Sequence, residues 1–234
     1  ANNETGTIQP VAGVVEVARR HDALVHCDAV QAMGKMATSF SDLGVDMMTL
    51  SAHKMGGPQG IGALIVGANV TLRALTRGGG QERGRRAGTE SVPLIAGFGA
   101  AALAIGGGEE IQRLARLRDS LEERLGRLTP APVLVGRGAP RLPNTSCIAM
   151  PGVASETQVM ALDLAGIAVS AGSACSSGKV AASHVLDAMG MEMDEAMTAI
   201  RISLGRNTTS AEIERFLIAW AEIYRRNSAH TNAA

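Results

Sequence analysis

Runs of apolar positions divide the chain into short β-type stretches and longer stretches with helical spacing. Val45-Asp46-Met47-Met48-Thr49-Leu50 reads as a buried strand, and Ile61-Gly62-Ala63-Leu64-Ile65-Val66 reads as another. Ala23-Leu24-Val25-His26-Cys27 is a shorter β-type run that ends at Asp28. Between Pro10 and Arg20, Val11, Val14, Val15 and Ala18 recur on one helical face, with the proline at the start. A loop and a short helix are expected before Val45. Ser91-Val92-Pro93 opens a further helix, with proline near its first turn, whose apolar body runs to Ile105. Strands alternating with helices and loops predict an α/β sheet with parallel members. In such sheets, ligand groups gather at the strand ends.

Gly106-Gly107-Gly108 breaks this pattern, and a domain boundary is expected there, dividing the chain into 1–108 and 109–234. Glu109 to Leu128 predicts a charged amphipathic helix with Ile111, Leu114, Leu117, Leu121 and Leu125 on one side. The remainder reads as α+β. Strands are predicted at Val133–Val135, Thr145–Met150, Ile167–Ser170 and Ala199–Leu204. Helices are predicted at Glu156–Leu164, with Ser155 as N-cap, at Ser183–Met189 and at Ala211–Arg226, with a frayed tail from Asn227. No internal repeat or low-complexity segment is present.

Composition narrows the partners. With 46% apolar residues the 234-residue chain can build a real core. Its 22 basic and 22 acidic residues balance, so neither nucleic acid nor an anionic membrane is an expected partner. No stretch of 18 apolar residues predicts a membrane-spanning helix. The first residues lack the basic and apolar regions of a signal peptide. Three widely spaced cysteines make no disulfide framework, which fits a reducing compartment and a cytoplasmic location. No metal site is indicated.

Lys54 is the first residue that points to chemistry. It lies in the Gly- and Pro-rich loop Ser51-Ala52-His53-Lys54-Met55-Gly56-Gly57-Pro58, between two predicted strands. A lysine at the end of a core strand is expected to be desolvated, which lowers its pKa and allows a Schiff base with a carbonyl. A solvated loop lysine is the alternative. Asp28, also just past a strand, is either the N-cap of a short helix or the partner of a cationic group such as the protonated ring nitrogen of pyridoxal phosphate. Cys175 lies in the small-residue loop Ala171-Gly172-Ser173-Ala174-Cys175-Ser176-Ser177-Gly178, the polar, accessible setting that a reactive thiolate needs. Cys27 and Cys147 lie in apolar runs and read as small core residues. Arg201 begins a β-type run, so its neighbours are expected to be partly buried; a surface ion pair is the plain reading, and an unpaired buried arginine would be costly. Arg83, Arg85 and Arg86, in the loop from Gly78 to Thr89, suit anions, a solvated face or a subunit contact equally well. His184 reads as a structural or surface residue, and His21 and His230 as solvated ones.

Taken together, Asp28 and the Ser-x-His-Lys ending at Lys54, 26 positions on (54 − 28), match the class V aminotransferase pattern among pyridoxal phosphate enzymes. Ala1-Asn2-Asn3-Glu4-Thr5-Gly6-Thr7-Ile8-Gln9-Pro10, His26-Cys27-Asp28-Ala29-Val30-Gln31, Gly78-Gly79-Gly80-Gln81-Glu82-Arg83-Gly84, Ala87-Gly88-Thr89-Glu90, Gly172-Ser173-Ala174-Cys175 and Arg201-Ile202-Ser203-Leu204-Gly205 resemble the cysteine desulfurases. They are similar to the branch that serves iron–sulfur cluster assembly and nitrogen fixation. The resemblance runs to about Arg226.

This resemblance implies an α/β protein of the pyridoxal-phosphate transferase fold type I. Residues 1–108 would form part of its large mixed-sheet domain, and 109–234 the small C-terminal α+β domain that carries the cysteine loop. It implies that Lys54 holds the cofactor as a Schiff base, that Asp28 pairs with the ring nitrogen, and that Gln31 and Asn3 bond the phenolic oxygen or its surroundings. Ser51 and His53 would bind the phosphate. Thr89 would reach the phosphate of the partner subunit's cofactor in a homodimer. Arg201 would grip the substrate carboxylate, with Asn3 beside it, and Cys175 would accept sulfur. The implied reaction converts L-cysteine to L-alanine and leaves a persulfide for an acceptor or iron–sulfur scaffold protein. A selenocysteine lyase or another class V enzyme is the alternative among enzymes. An inactive fragment acting as a binding or dimerising module is the alternative outside them. Family members carry a further segment before the residues matching Asn2-Asn3-Glu4, with strands, a phosphate cradle and a ring-stacking histidine. The resemblance therefore predicts that this chain alone binds cofactor weakly. Ala181-Ala182 stands where some relatives carry Glu-Pro.

Overall fold

A computed structural model describes residues 1–129, 131–171 and 183–231. The chain forms two compact units, one of residues 9–106 and one of residues 1–8 with 107–234.

The 9–106 unit is built on three strands, β1 (His26–Asp28), β2 (Met47–Ser51) and β3 (Gly62–Val66), in that order. β1 and β2 are parallel, with Asp28 opposite Thr49, while β3 returns antiparallel with Gly62 opposite Ser51. Cys27, Met48 and Ile65 form one cross-strand row. That row faces a core shared with Val11 and Val15 of α1 (Val11–Arg19) and with Phe40 and Leu43 of α2 (Phe40–Leu43). Asp46 is 2% exposed; it accepts both Arg19 guanidinium hydrogen bonds at 3.1 Å and the Val25 N–H at 2.7 Å. The Val25 amide and the Arg19 guanidinium outweigh burial and hold its carboxyl below the usual range. This contact fixes the end of α1 to the start of β2. The unit closes with α3 (Val92–Leu103), an almost wholly apolar helix.

The other unit is an antiparallel sheet, order β4-β5-β7-β6: β4 (Val133–Leu134), β5 (Thr145–Ala149), β6 (Ser170–Ala171) and β7 (Ala199–Ser203). One face carries Ile148, Ile200 and Ile202. It packs on Leu114, Leu121 and Leu125 of α4 (Gly108–Leu125), on Leu162 of α5 (Ser155–Leu164), and on Phe216, Leu217 and Trp220 of α8 (Ser210–Thr231). The other face holds Cys147, Ala149 and Ala199 against Leu186 of α6 (His184–Ala188) and Ala196 of α7 (Met193–Ala196). Two buried polar groups lock the helical side. Glu122 takes a bidentate pair from Arg141 at 2.7 Å and the Ser146 hydroxyl at 2.7 Å. Gln158 donates to the Val153 and Thr198 carbonyls and accepts the Trp220 indole N–H at 3.2 Å.

Three expectations change at element ends. Ser155 is the first residue of α5 rather than its cap, because its own N–H is taken by the Met197 carbonyl at 2.9 Å. β6 starts only at Ser170. Gly166, at φ +73°, and Ile167 close α5 by donating to Asp163 and Leu162, which removes Ile167 from any strand ladder. α8 continues through Asn227 to Thr231, held by the Asn227 amide on the Ile223 carbonyl at 2.8 Å.

Candidate active site

In the 9–106 unit the predicted residues gather at one edge. β1 and β2 run in the same direction, so their C-terminal ends coincide, and Asp28 and Ser51 occupy those ends. Beyond Ser51 the chain turns through a short 3₁₀ segment, Ala52–Met55, that carries His53 and Lys54. Gly56, at φ +87°, ends that turn, a conformation that favours glycine. Gly57 follows, where an added Cβ would lie 3.0 Å from the Ala52 and Ala101 methyls. The turn is thus held tightly against α3 beneath while its polar residues face outward: Ala52 is fully buried, whereas His53 and Lys54 are exposed.

That exposure places Lys54 with the solvated alternative and not with the desolvated lysine expected at a strand end. The 3₁₀ turn carries the lysine past the strand end and away from the core, and Ala52 fills the buried position instead. Asp28 is likewise exposed, and its Oδ1 accepts the Val30 N–H at 2.9 Å. This is a local cap on a turn rather than on a helix. Ser51 Oγ lies 2.7 Å from His53 Nδ1, so hydroxyl and imidazole are already paired on this edge. Gln31 accepts a hydrogen bond from Lys35 Nζ at 2.7 Å.

Thr89 lies exposed in the loop before α3. This loop holds two non-glycine residues in the left-handed region, Glu82 at φ 50° and Arg83 at φ 55°. Gln81 closes it by accepting the Gly88 N–H at 3.3 Å. Arg83, Arg85 and Arg86 are exposed there.

In the unit of residues 1–8 and 107–234, Asn3 and Arg201 come together. Arg201 Nη1 donates to the Asn3 carbonyl at 2.8 Å and Nη2 to the Ser170 hydroxyl at 3.2 Å. Cys147 lies directly opposite Arg201 on β5. Burial pushes the Cys147 thiol up to about 12, and burial also raises Cys27, so neither is a thiolate at neutral pH. Cys175 lies outside the described residues. Sequence reasoning missed Glu4, Ser170 and Ser183, which surround Arg201's supports. Their partners stand far away in the sequence, and the only local signal was the Asn2-Asn3-Glu4 turn.

The donor set at the strand-end edge fits pyridoxal phosphate by chemistry. A carboxylate suits a protonated ring nitrogen, an amine suits an aldehyde, and a hydroxyl with an imidazole suits a phosphate. Among the described residues no cluster of His, Cys, Asp or Glu could hold a metal ion. No single described helix is long and apolar enough to cross a membrane.

A cysteine desulfurase of Cereibacter sphaeroides is 50% identical over 218 residues, 93% of this chain and 56% of that protein. A cysteine desulfurase of Enterobacter agglomerans is 45% identical over 215 residues, covering 54% of its length. The chain therefore spans about half the length of the curated relatives it matches. An X-ray structure of a NifS-like protein from Rickettsia africae superposes with a TM-score of 0.85 at 38% identity, over 96% of this chain and 60% of that one. The structure of SspA in complex with cysteine superposes with a TM-score of 0.72 at 33% identity, over 89% of this chain and 58% of that one. The fold is thus the α/β fold type I arrangement of pyridoxal-phosphate transferases. Residues 1–216 match the model of the family described as aminotransferase class V, and the chain belongs to that family.

Proposed function

We propose that this chain is part of a pyridoxal-phosphate-dependent cysteine desulfurase. The observation that carries the reading is the shared end of β1 and β2, which sets Asp28, Ser51, His53 and Lys54 on one edge. When bound, the cofactor supplies an electron sink for the carbon next to the substrate amine. Lys54 is the amine that holds the cofactor's carbonyl covalently. Asp28 keeps the ring nitrogen protonated, Gln31 and Asn3 hydrogen-bond around the phenolic oxygen, and Ser51 and His53 hold the phosphate. Arg201 binds the carboxylate of L-cysteine with a planar fork. Cys175 attacks the substrate sulfur as a thiolate and keeps it as a persulfide, the carbon skeleton leaving as L-alanine. The persulfide then passes to an acceptor or iron–sulfur scaffold protein. Thr89 serves the partner subunit's cofactor in a homodimer, in the cytoplasm. The relatives' names and the SspA complex with cysteine support the substrate.

The test uses the full-length protein. Borohydride reduction should fix a pyridoxyl label on Lys54, and Lys54→Ala should abolish it; label on another lysine overturns the assignment. Cys175→Ser should still bind cofactor and L-cysteine yet form no persulfide. Normal sulfide release by that variant would favour another class V reaction.

A further inference from the structure

Arg201 is held more completely than a surface arginine would be. It sits on β7 between Cys147 of β5 and Ser170 of β6, in one cross-strand row. Its Nη1 is fixed by the Asn3 carbonyl and its Nη2 by the Ser170 hydroxyl, while its Nε–H is buried without a partner among the described residues. Each terminal nitrogen carries a second N–H, so two supports fix the guanidinium plane and still leave donors for a bidentate ligand.

The Asn3 carbonyl is itself mounted on a rigid turn. Asn2 Oδ1 accepts the N–H groups of Glu4 and Thr5, both at 2.9 Å, and the Asn2 N–H donates to the Thr7 carbonyl at 2.8 Å. Glu4 then ties the turn down. Its side chain is buried and accepts a hydrogen bond from the Ser183 hydroxyl, 179 positions away. Ser183 is also buried and caps α6 by accepting the Val185 and Leu186 N–H groups at 3.2 Å. A carboxylate is costly to bury unless it is hydrogen-bonded, and here its partner is the cap of a helix packed on the Arg201 face of the sheet. A continuous chain of contacts therefore runs from Ser183 through Glu4 and Asn3 to Arg201 and on to Ser170.

We infer that Ser170 and Glu4 are positioning residues that set the plane of Arg201 for a carboxylate ligand, an inference that rests on Arg201 binding the substrate carboxylate. Ser170 acts by direct contact and Glu4 through the turn that presents the Asn3 carbonyl. Neither touches the substrate.

The experiment compares Arg201→Ala, Ser170→Ala, Ser170→Thr, Glu4→Ala and Glu4→Gln in the full-length protein with L-cysteine as substrate. Ser170→Ala should raise KM about three- to tenfold with kcat within about twofold, the signature of lost uniform binding by one hydrogen bond. Ser170→Thr, which keeps the hydroxyl, should restore KM. Glu4→Ala should shift KM the same way, and Glu4→Gln, which can still accept from Ser183, should shift it less. A second readout needs neither cofactor nor turnover. In cofactor-free protein labelled with ¹⁵N-arginine, the Arg201 Nε–H, identified by its loss in Arg201→Lys, should exchange slowly with water and faster in Ser170→Ala. If Arg201→Ala leaves KM unchanged, the carboxylate role itself fails. If Arg201→Ala raises KM while Ser170→Ala changes neither KM nor exchange, the positioning roles are overturned and the role of Arg201 stands. Should Glu4→Ala fail to fold, Ser170→Ala still decides.

Discussion

The strand-end edge of the 9–106 unit and the Arg201 face of the other unit hold their polar side chains by opposite means. On the edge the contacts are local. Asp28 caps Val30, Gln31 meets Lys35 and Ser51 meets His53, across 2, 4 and 2 positions. On the Arg201 face the contacts close long loops: Arg201 reaches Asn3 across 198 positions and Ser170 across 31, and Glu4 reaches Ser183 across 179. The helical side of the same sheet repeats the pattern, with Glu122 bound to Arg141 and Ser146. The locally held groups are exposed or half-buried, Asp28 and His53 exposed and Gln31 and Ser51 half-buried, and each can be lost without leaving a buried group unpaired. The long-range contacts include fully buried members, Glu4, Ser183, Glu122 and Ser146, and there the same substitution chemistry costs stability.

The largest effect should come from the buried network. Arg141 and Glu122 side chains are 5% and 6% exposed and bonded bidentately. Glu122→Ala would leave the guanidinium buried without its counter-charge, a change that typically costs about 3–5 kcal/mol. Trp220 is the chain's single tryptophan and packs in the same core, so its fluorescence in a denaturant titration reports on this unit. A midpoint shift worth less than about 1 kcal/mol would mean that water reaches the pair and that the contrast between the regions is false.

The same carboxylate gives a pH dependence. Burial pushes Glu122 up, but Arg141, Ser146 and Arg118 together hold its pKa below the ordinary 4.5. The folded state then binds fewer protons than the unfolded state in this range, so stability rises with pH there. The contribution is complete above the ordinary value and is lost as pH falls through the lowered folded value. Unfolding midpoints for the native chain should therefore drop below pH 4.5 more steeply than those of Glu122→Gln. Parallel curves would show that Glu122 is not the group responsible.

How much was legible follows the same division. Lys54 and Asp28 stand out because short-range sequence carries both the residue and its setting, whereas Ser51 and His53 were indicated only by the resemblance. The strands ending at Asp28 and Ser51 are readable from apolar runs bounded by turn residues. What could not be read was the direction in which Lys54 points, since one 3₁₀ turn decides whether a residue faces core or solvent. Arg201 was visible as a cation in a β run, but its supports were not. No local pattern links Glu4 to Ser183, and Ser170 becomes a partner only once β6 and β7 pair in register. Likewise, the late start of β6 depends on Gly166 and Ile167 closing α5, a choice between two hydrogen-bond partners that hydropathy does not encode.

The smallest stability effect is expected at Ser51, and it sharpens the comparison most directly. Ser51 ends β2, and its backbone lies in the ladder opposite Gly62, which any residue at that position would keep. Only its hydroxyl is at issue. That hydroxyl pairs with an imidazole two positions away at an exposed site, so water can replace either partner without burying an unsatisfied group. Ser51→Ala should then change unfolding free energy by no more than about 0.5 kcal/mol, the range of ordinary surface substitutions. In the full-length protein the same change should weaken cofactor retention, because one of the two proposed phosphate ligands is gone. Calorimetry of the variant and dialysis of its bound cofactor measure the two quantities separately. Intact stability with faster cofactor loss is the result that local attachment predicts. A loss of stability comparable to that of Glu122→Ala would show instead that the strand-end edge is built into the core as firmly as the buried network, and the distinction between the two regions would fall.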